Sequence, residues 1–160
     1  MLRDRLREGA LAGLIGAAAT AGALIGFGVA RGAAWRPINT IAHLVIGYRA
    51  EITDGFDPLV TLLGLGVHVA SLVAWGVLFS LLAARLRGVR LLLAALLFAA
   101  GAFALDHLLL PVRLKPGFEL VLSWPELVAL YAVLALALAA GLATSRGARG
   151  DAGGELRGLA

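Results

Sequence analysis

The chain has 160 residues, of which 61% are apolar and only 15% charged, and its mean hydropathy is +0.92. Soluble domains are about half apolar and about a quarter charged, so a soluble globular domain is excluded and the apolar surface calls for lipid. The absence of cysteine excludes disulfides, thiolate metal centres, iron–sulfur clusters and a cysteine nucleophile, while the net charge of +4 rests on arginines at the edges of apolar runs, a pattern of membrane orientation and not of nucleic-acid binding.

Residues 1–8 form a charged head with Arg3, Arg5 and Arg7. Residues 9–30 follow without a charge, and about 22 residues give roughly 33 Å of helix, enough to span a bilayer. A cleaved signal peptide is the rival reading, but signal apolar cores run about 7–15 residues, so a retained helix is expected. Gly9, Gly13 and Gly16, then Gly22 and Gly26, place small residues where another helix packs closely, which suggests a homo-oligomer or another membrane partner docking on this helix. Residues 37–47 predict a short interfacial helix, with Pro37 in its first turn, Gly47 as its stop, and Trp35 and Tyr48 bracketing it.

Asp57-Pro58 opens a second span over 58–84, aspartate as N-cap and proline at the first helical position. Thr61, Gly64, His68, Ser71 and Trp75 recur along it as one small and polar stripe, suited to helix contacts. Arg85, Arg87 and Arg90 form a basic turn. The third span, 90–110, carries Asp106 above Ala95, Ala99 and Ala102 on one face, and Pro111 ends it. A short turn through Arg113, Lys115 and Pro116-Gly117 requires the fourth span, 124–144, to pack antiparallel beside the third. Ser123 and Glu126 form a capping box at its start. Residues 145–160 read as a disordered tail. The fold class is therefore all-α: a four-helix, up-down-up-down integral membrane bundle with one short interfacial helix between the first two spans.

With the N-terminus inside, nine basic residues lie on the inner side (Arg3, Arg5, Arg7, Arg85, Arg87, Arg90, Arg146, Arg149, Arg157) and five on the outer (Arg31, Arg36, Arg49, Arg113, Lys115). That asymmetry favours both termini in the cytoplasm. The same topology gathers His43, His68, Asp106, His107 and Glu126 towards the outer side. Ionisable groups at membrane depth are costly and mark candidate sites. Asp106, His107 and His68 are candidate ligands of a divalent metal ion, or carriers in a proton relay. Haem is disfavoured, because His68 and His107 differ in depth by roughly 9 Å at about 1.5 Å per residue.

Each of these residues also has a structural reading. Glu126 completes its capping box, and Asp106 pairs with Arg113 or with backbone donors. His68 hydrogen-bonds across helices, His107 reaches interfacial water, and His43 packs at the surface. Ser123 is occupied as an N-cap, which argues against a Ser–His–Asp hydrolase.

The segments Asn39-Thr40-Ile41-Ala42-His43, His68 with Trp75, and above all Asp106-His107-Leu108-Leu109-Leu110-Pro111-Val112-Arg113-Leu114-Lys115-Pro116-Gly117-Phe118-Glu119 resemble an uncharacterised family of small four-helix bacterial inner-membrane proteins. The resemblance implies a bacterial inner membrane and four helices, brings no activity, and adds Asn39, Arg113 and Glu119 to the residues of interest. Two functions compete. One is a small integral membrane protein whose outer polar cluster binds a metal ion or relays protons. The other is a structural or accessory subunit acting through helix assembly, with the cluster only fixing the bundle. Neither requires an enzyme.

Overall fold

A computed structural model describes residues 2–50 and 52–158, with the side chains of 48–49 and 148–158 excepted. All regular structure among the described residues is helical: α1 (Leu2–Ala30), α2 (Arg36–Ile41), α3 (His43–Ile46), α4 (Pro58–Leu82), α5 (Gly88–Ala104) and α6 (Trp124–Gly158). Four of these helical runs, those over 2–30, 58–82, 88–109 and 124–147, are long and apolar enough to cross a membrane. The four-helix bundle expected from hydropathy is present. Its packing order is α4, α1, α6, α5, with α1 central between α4 and α6. Helices α4 and α5 share no extended backbone contact; Phe98 joins them by lying 5.5 Å from the Trp75 ring and 5.1 Å from Phe79.

The glycines of α1 divide by face. A Cβ on Gly13 would sit 2.5 Å from the Leu72 carbonyl oxygen and 2.6 Å from the Val73 Cα, so only glycine permits the α1–α4 approach there. Gly76 meets the same contact from the α4 side. Gly22 and Gly26 face open space instead, so only part of the expected small-residue stripe is used inside the bundle.

Helix runs through the charged head and into the segment after Thr144. Helix α1 already begins at Leu2, and α6 continues past Thr144 to Gly158. Charged side chains meet at the end of the bundle where α1 begins. Glu8 is buried and accepts from Arg146 Nε at 3.3 Å, and Arg146 also donates to the Leu86 and Ala83 carbonyls at 2.9 and 3.3 Å. Ser80 donates to the Arg5 carbonyl at 2.9 Å, and Arg5 in turn donates to the Ala84 carbonyl. These bonds fasten α1, the α4–α5 turn and α6 together, so Arg5, Glu8 and Arg146 are tied into the bundle where charge alone suggests solvent.

At the opposite end, the predicted 37–47 helix is split into α2 and α3, and Gly47 ends it with a φ of 68°. Residues Pro37 to Ile41 are all buried, with α2 seated on α4 at Gly64, where a Cβ would meet the Ile38 carbonyl.

Candidate functional site

The third span does not finish as an α-helix. Residues Leu105–Leu109 form a π-helical turn closed by the Leu110 N–H bonding to the Leu105 carbonyl at 2.9 Å. Pro111 explains why the turn stops there: it cannot continue the helix, and it drives Leu110 into an extended conformation (φ −69°, ψ 141°). Wide turns of this kind are frequent at functional sites, and this one carries Asp106 and His107.

Asp106 is bound by the Tyr131 hydroxyl, which donates to its Oδ2 at 2.6 Å. The expected pairing with Arg113 is not formed. Arg113 instead lines an outer cleft, on the bundle end away from the start of α1, together with His43, Gly117 and Glu119. No Arg or Lys among the described residues pairs with Asp106.

Asp106 and Tyr131 line a cavity of about 230 Å³, mostly apolar, that also holds His68, Ser71, Trp75 and Thr20 on its wall. Leu44, Ser71 and Leu114 on that wall are exposed, whereas Thr20, His68, Leu72 and Leu134 are buried. The cavity therefore has a closed floor and an open mouth. Ser71 lies 13 residues into α4, roughly 20 Å from its outer end at about 1.5 Å per residue, so the mouth reaches mid-height on the bundle's flank.

His68 is fixed by α1. Its Nε2 lies 3.0 Å from Thr20 Oγ1 and 3.3 Å from the Ala17 carbonyl. Thr20 already donates its own proton to the Gly16 carbonyl at 2.7 Å. Both neighbours of Nε2 are thus acceptors, which assigns the hydrogen to Nε2 and leaves Nδ1 of the neutral ring as an acceptor.

His107 points away from the cavity. Its side chain is 1% exposed, neither ring nitrogen has a hydrogen-bond partner, and Nδ1 lies 3.4 Å from Glu119 Oε2. Its ring packs 5.0 Å from Phe103 and 5.7 Å from Tyr131. The water contact expected for His107 is therefore absent; the partner within reach is Glu119, whose side chain is 28% exposed. Lys115 folds back to donate to the His107 carbonyl at 2.7 Å. Gly117 has a φ of 80°, and a Cβ there would sit 2.6 Å from Thr40 Cγ2 and 3.1 Å from the His43 ring, so glycine alone lets this turn close onto α2 and α3. His43 itself donates from Nδ1 to the Thr40 carbonyl, 2.7 Å away.

Two further sequence candidates stand apart from both the cavity and the cleft. Asn39 is wholly buried and satisfied: its amide donates to the Thr53 and Gly55 carbonyls, each at 2.8 Å, and its Oδ1 accepts from Thr61 at 2.6 Å. Glu126 reaches back to the Ser123 N–H at 2.8 Å, as a capping residue does, and also pairs with Arg31 across the bundle at 2.6 Å. That hydrogen bond raises the Arg31 pKa above its ordinary value.

The sequence candidates thus fall into four places: His68 and Asp106 in the cavity, His43, Arg113 and Glu119 around the outer cleft with His107 beneath it, Asn39 in a loop clamp, and Glu126 at a helix start. Among the described residues, no three His, Cys, Asp or Glu side chains come together as a metal-ligand set. The proposed trio of Asp106, His107 and His68 is divided because consecutive residues on the π-turn point to different neighbours. Tyr131, Thr20 and Arg31 complete the arrangement without having been singled out as its members. No family model, curated protein or solved structure matches the chain.

Proposed function

We propose that this is a small multi-pass membrane protein whose working part is the outer-half cavity. There it receives a small lipid-soluble molecule beside Asp106, a carboxyl that exchanges its proton with the outer surface. The observation that carries this reading is Asp106 itself: a carboxyl within a membrane-length helical run, lining an open cavity, with one hydroxyl donor and no paired cation. An acid in that position is costly and is retained where ions, protons or ligands are handled. His107 and Glu119 form a separate pair, 3.4 Å apart, on the far side of the π-turn, so proton exchange at Asp106 runs through the open mouth of the cavity, where Leu44 and Leu114 are exposed. The division of the His and Asp groups weighs against the metal-binding alternative.

The same reading assigns the protein to a bacterial inner membrane with both termini in the cytoplasm. The nine-to-five distribution of basic residues supports the orientation, and the likeness of residues 106–119 to small inner-membrane proteins supports the compartment. An assembly role would use the outward face of α1 at Gly22 and Gly26, because Gly9 and Gly13 are consumed against α4.

The chain has three tryptophans, so replacing Trp35 and Trp124 by phenylalanine leaves Trp75, on the cavity wall, as the only indole. Titrating this variant with 4-bromobenzyl alcohol should quench its fluorescence saturably. Quenching that rises without saturation, as in a chain retaining only Trp35, would contradict a binding cavity.

A further inference from the structure

Resting on that cavity reading, we infer that the ligand is an amphipathic organic cation: a protonated amine on a single ring or a short hydrocarbon group. The argument is one of charge and donor balance. The polar groups on the cavity wall are Asp106, the Tyr131 hydroxyl, His68, and the hydroxyls of Ser71 and Thr20. Tyr131 spends its proton on Asp106, Thr20 spends its proton on the α1 backbone, and His68 spends its N–H on Ala17 and Thr20. What remains for a ligand is a second carboxyl oxygen, an imidazole lone pair and the Ser71 hydroxyl. This wall accepts hydrogen bonds and offers almost none.

Among the described residues, no arginine or lysine lines the cavity. Lys115, the basic residue nearest in the chain turn, is committed to the His107 carbonyl, and Arg113 belongs to the outer cleft. A carboxylate in apolar surroundings without a counter-charge is strongly disfavoured, so a ligand bearing an ammonium group supplies what the fold withholds. Trp75 and Tyr131 add aromatic rings to the same wall, and such rings attract cations.

Size and access agree. A cavity of about 150 Å³ holds benzene, and the 230 Å³ found here leaves space for one ring with a short amine-bearing arm. The mouth at Ser71 opens at mid-height on the flank, the route a lipid-partitioned amine would take. A neutral molecule of the same shape can donate a hydrogen bond to Asp106 but cannot balance its charge, which gives the inference its test.

The full chain in detergent is titrated calorimetrically with benzylamine and with benzyl alcohol, each corrected for heats into empty micelles. Because charge-assisted hydrogen bonds are roughly twice as strong as neutral ones, benzylamine should bind at least about tenfold more tightly. Asp106→Asn keeps an acceptor for Tyr131 while removing the charge, and should abolish the preference for benzylamine over the alcohol. Asp106→Glu should keep the preference for the amine. Equal affinities in the native chain would overturn the amine assignment and leave the cavity reading standing; this comparison needs no variant to fold. Binding of neither compound would overturn both.

Discussion

A carboxyl within a membrane span needs a proton, a counter-charge or hydrogen-bond donors, and Asp106 has one donor, the Tyr131 hydroxyl at 2.6 Å. Asn39 is the contrasting case, buried yet with its amide and carbonyl both engaged. Asn39→Ala should therefore behave as a folding defect, costing about 1–3 kcal/mol for the polar groups it orphans, seen as a lowered midpoint of thermal unfolding in detergent. A neutral effect would show that the clamp between α2, the 53–55 loop and α4 is not needed. Tyr131→Phe should cost less, about 1 kcal/mol for one hydrogen bond, and should alter ligand affinity more than it alters stability. Asp106 and His107 were legible in the sequence because acids and histidines in apolar runs stand out. Tyr131 was not, since a tyrosine 25 residues away gives no sign that its hydroxyl will meet Asp106. The opposed orientations of Asp106 and His107 were equally hidden, because a π-turn has no reliable sequence signature.

The helices explain why one span carries six glycines yet uses them unequally. Gly13 lies against the α4 backbone, whereas Gly22 and Gly26 face open space. Gly13→Ala should destabilise by about 1–3 kcal/mol through overpacking, while Gly22→Ala and Gly26→Ala should be close to neutral in the same thermal-unfolding measurement. Equal effects at all three positions would contradict the α1–α4 contact. Hydropathy and length made the four spans readable, and Asp57-Pro58 and Pro111 marked two of their ends. The first turns of α1 and the continuation of α6 were unreadable for a definite reason. Arg5, Glu8 and Arg146 are indistinguishable in sequence from solvated charges, and only the fold reveals that they meet each other and the carbonyls of 83–86.

The complete bundle has polar devices at both ends and little between them. At the inner end the Glu8–Arg146 pair is nearly buried, with side chains 5% and 7% exposed. Removing one partner with Arg146→Ala should cost about 3 kcal/mol, in line with breaking buried ion pairs, again read as a lowered unfolding midpoint. At the outer end, Lys115 should react with a membrane-impermeant amine reagent in intact cells while a cysteine at Arg87 stays shielded; the reverse would invert the proposed topology. Between the ends, α1 has no ionisable residue from Gly9 to Ala30, and α5 has none from Leu91 to Leu105. In α4, His68 is the single ionisable side chain between Pro58 and Leu82. Away from the charged groups near the start of α1, the ionisable groups of the spans thus lie in the half nearer the 105–119 turn, which favours a binding site with one-sided proton access over a path across the membrane.

The central claim is that Asp106 is a protonatable carboxyl open to the bilayer. Dicyclohexylcarbodiimide, a lipid-soluble reagent, modifies carboxylic acids in their protonated form and tests it directly. Mass spectrometry of the full chain treated in membranes should find the stable acylurea on Asp106 and none at that position in Asp106→Asn. Modification confined to Glu119 and Glu126, with Asp106 untouched, would contradict the account.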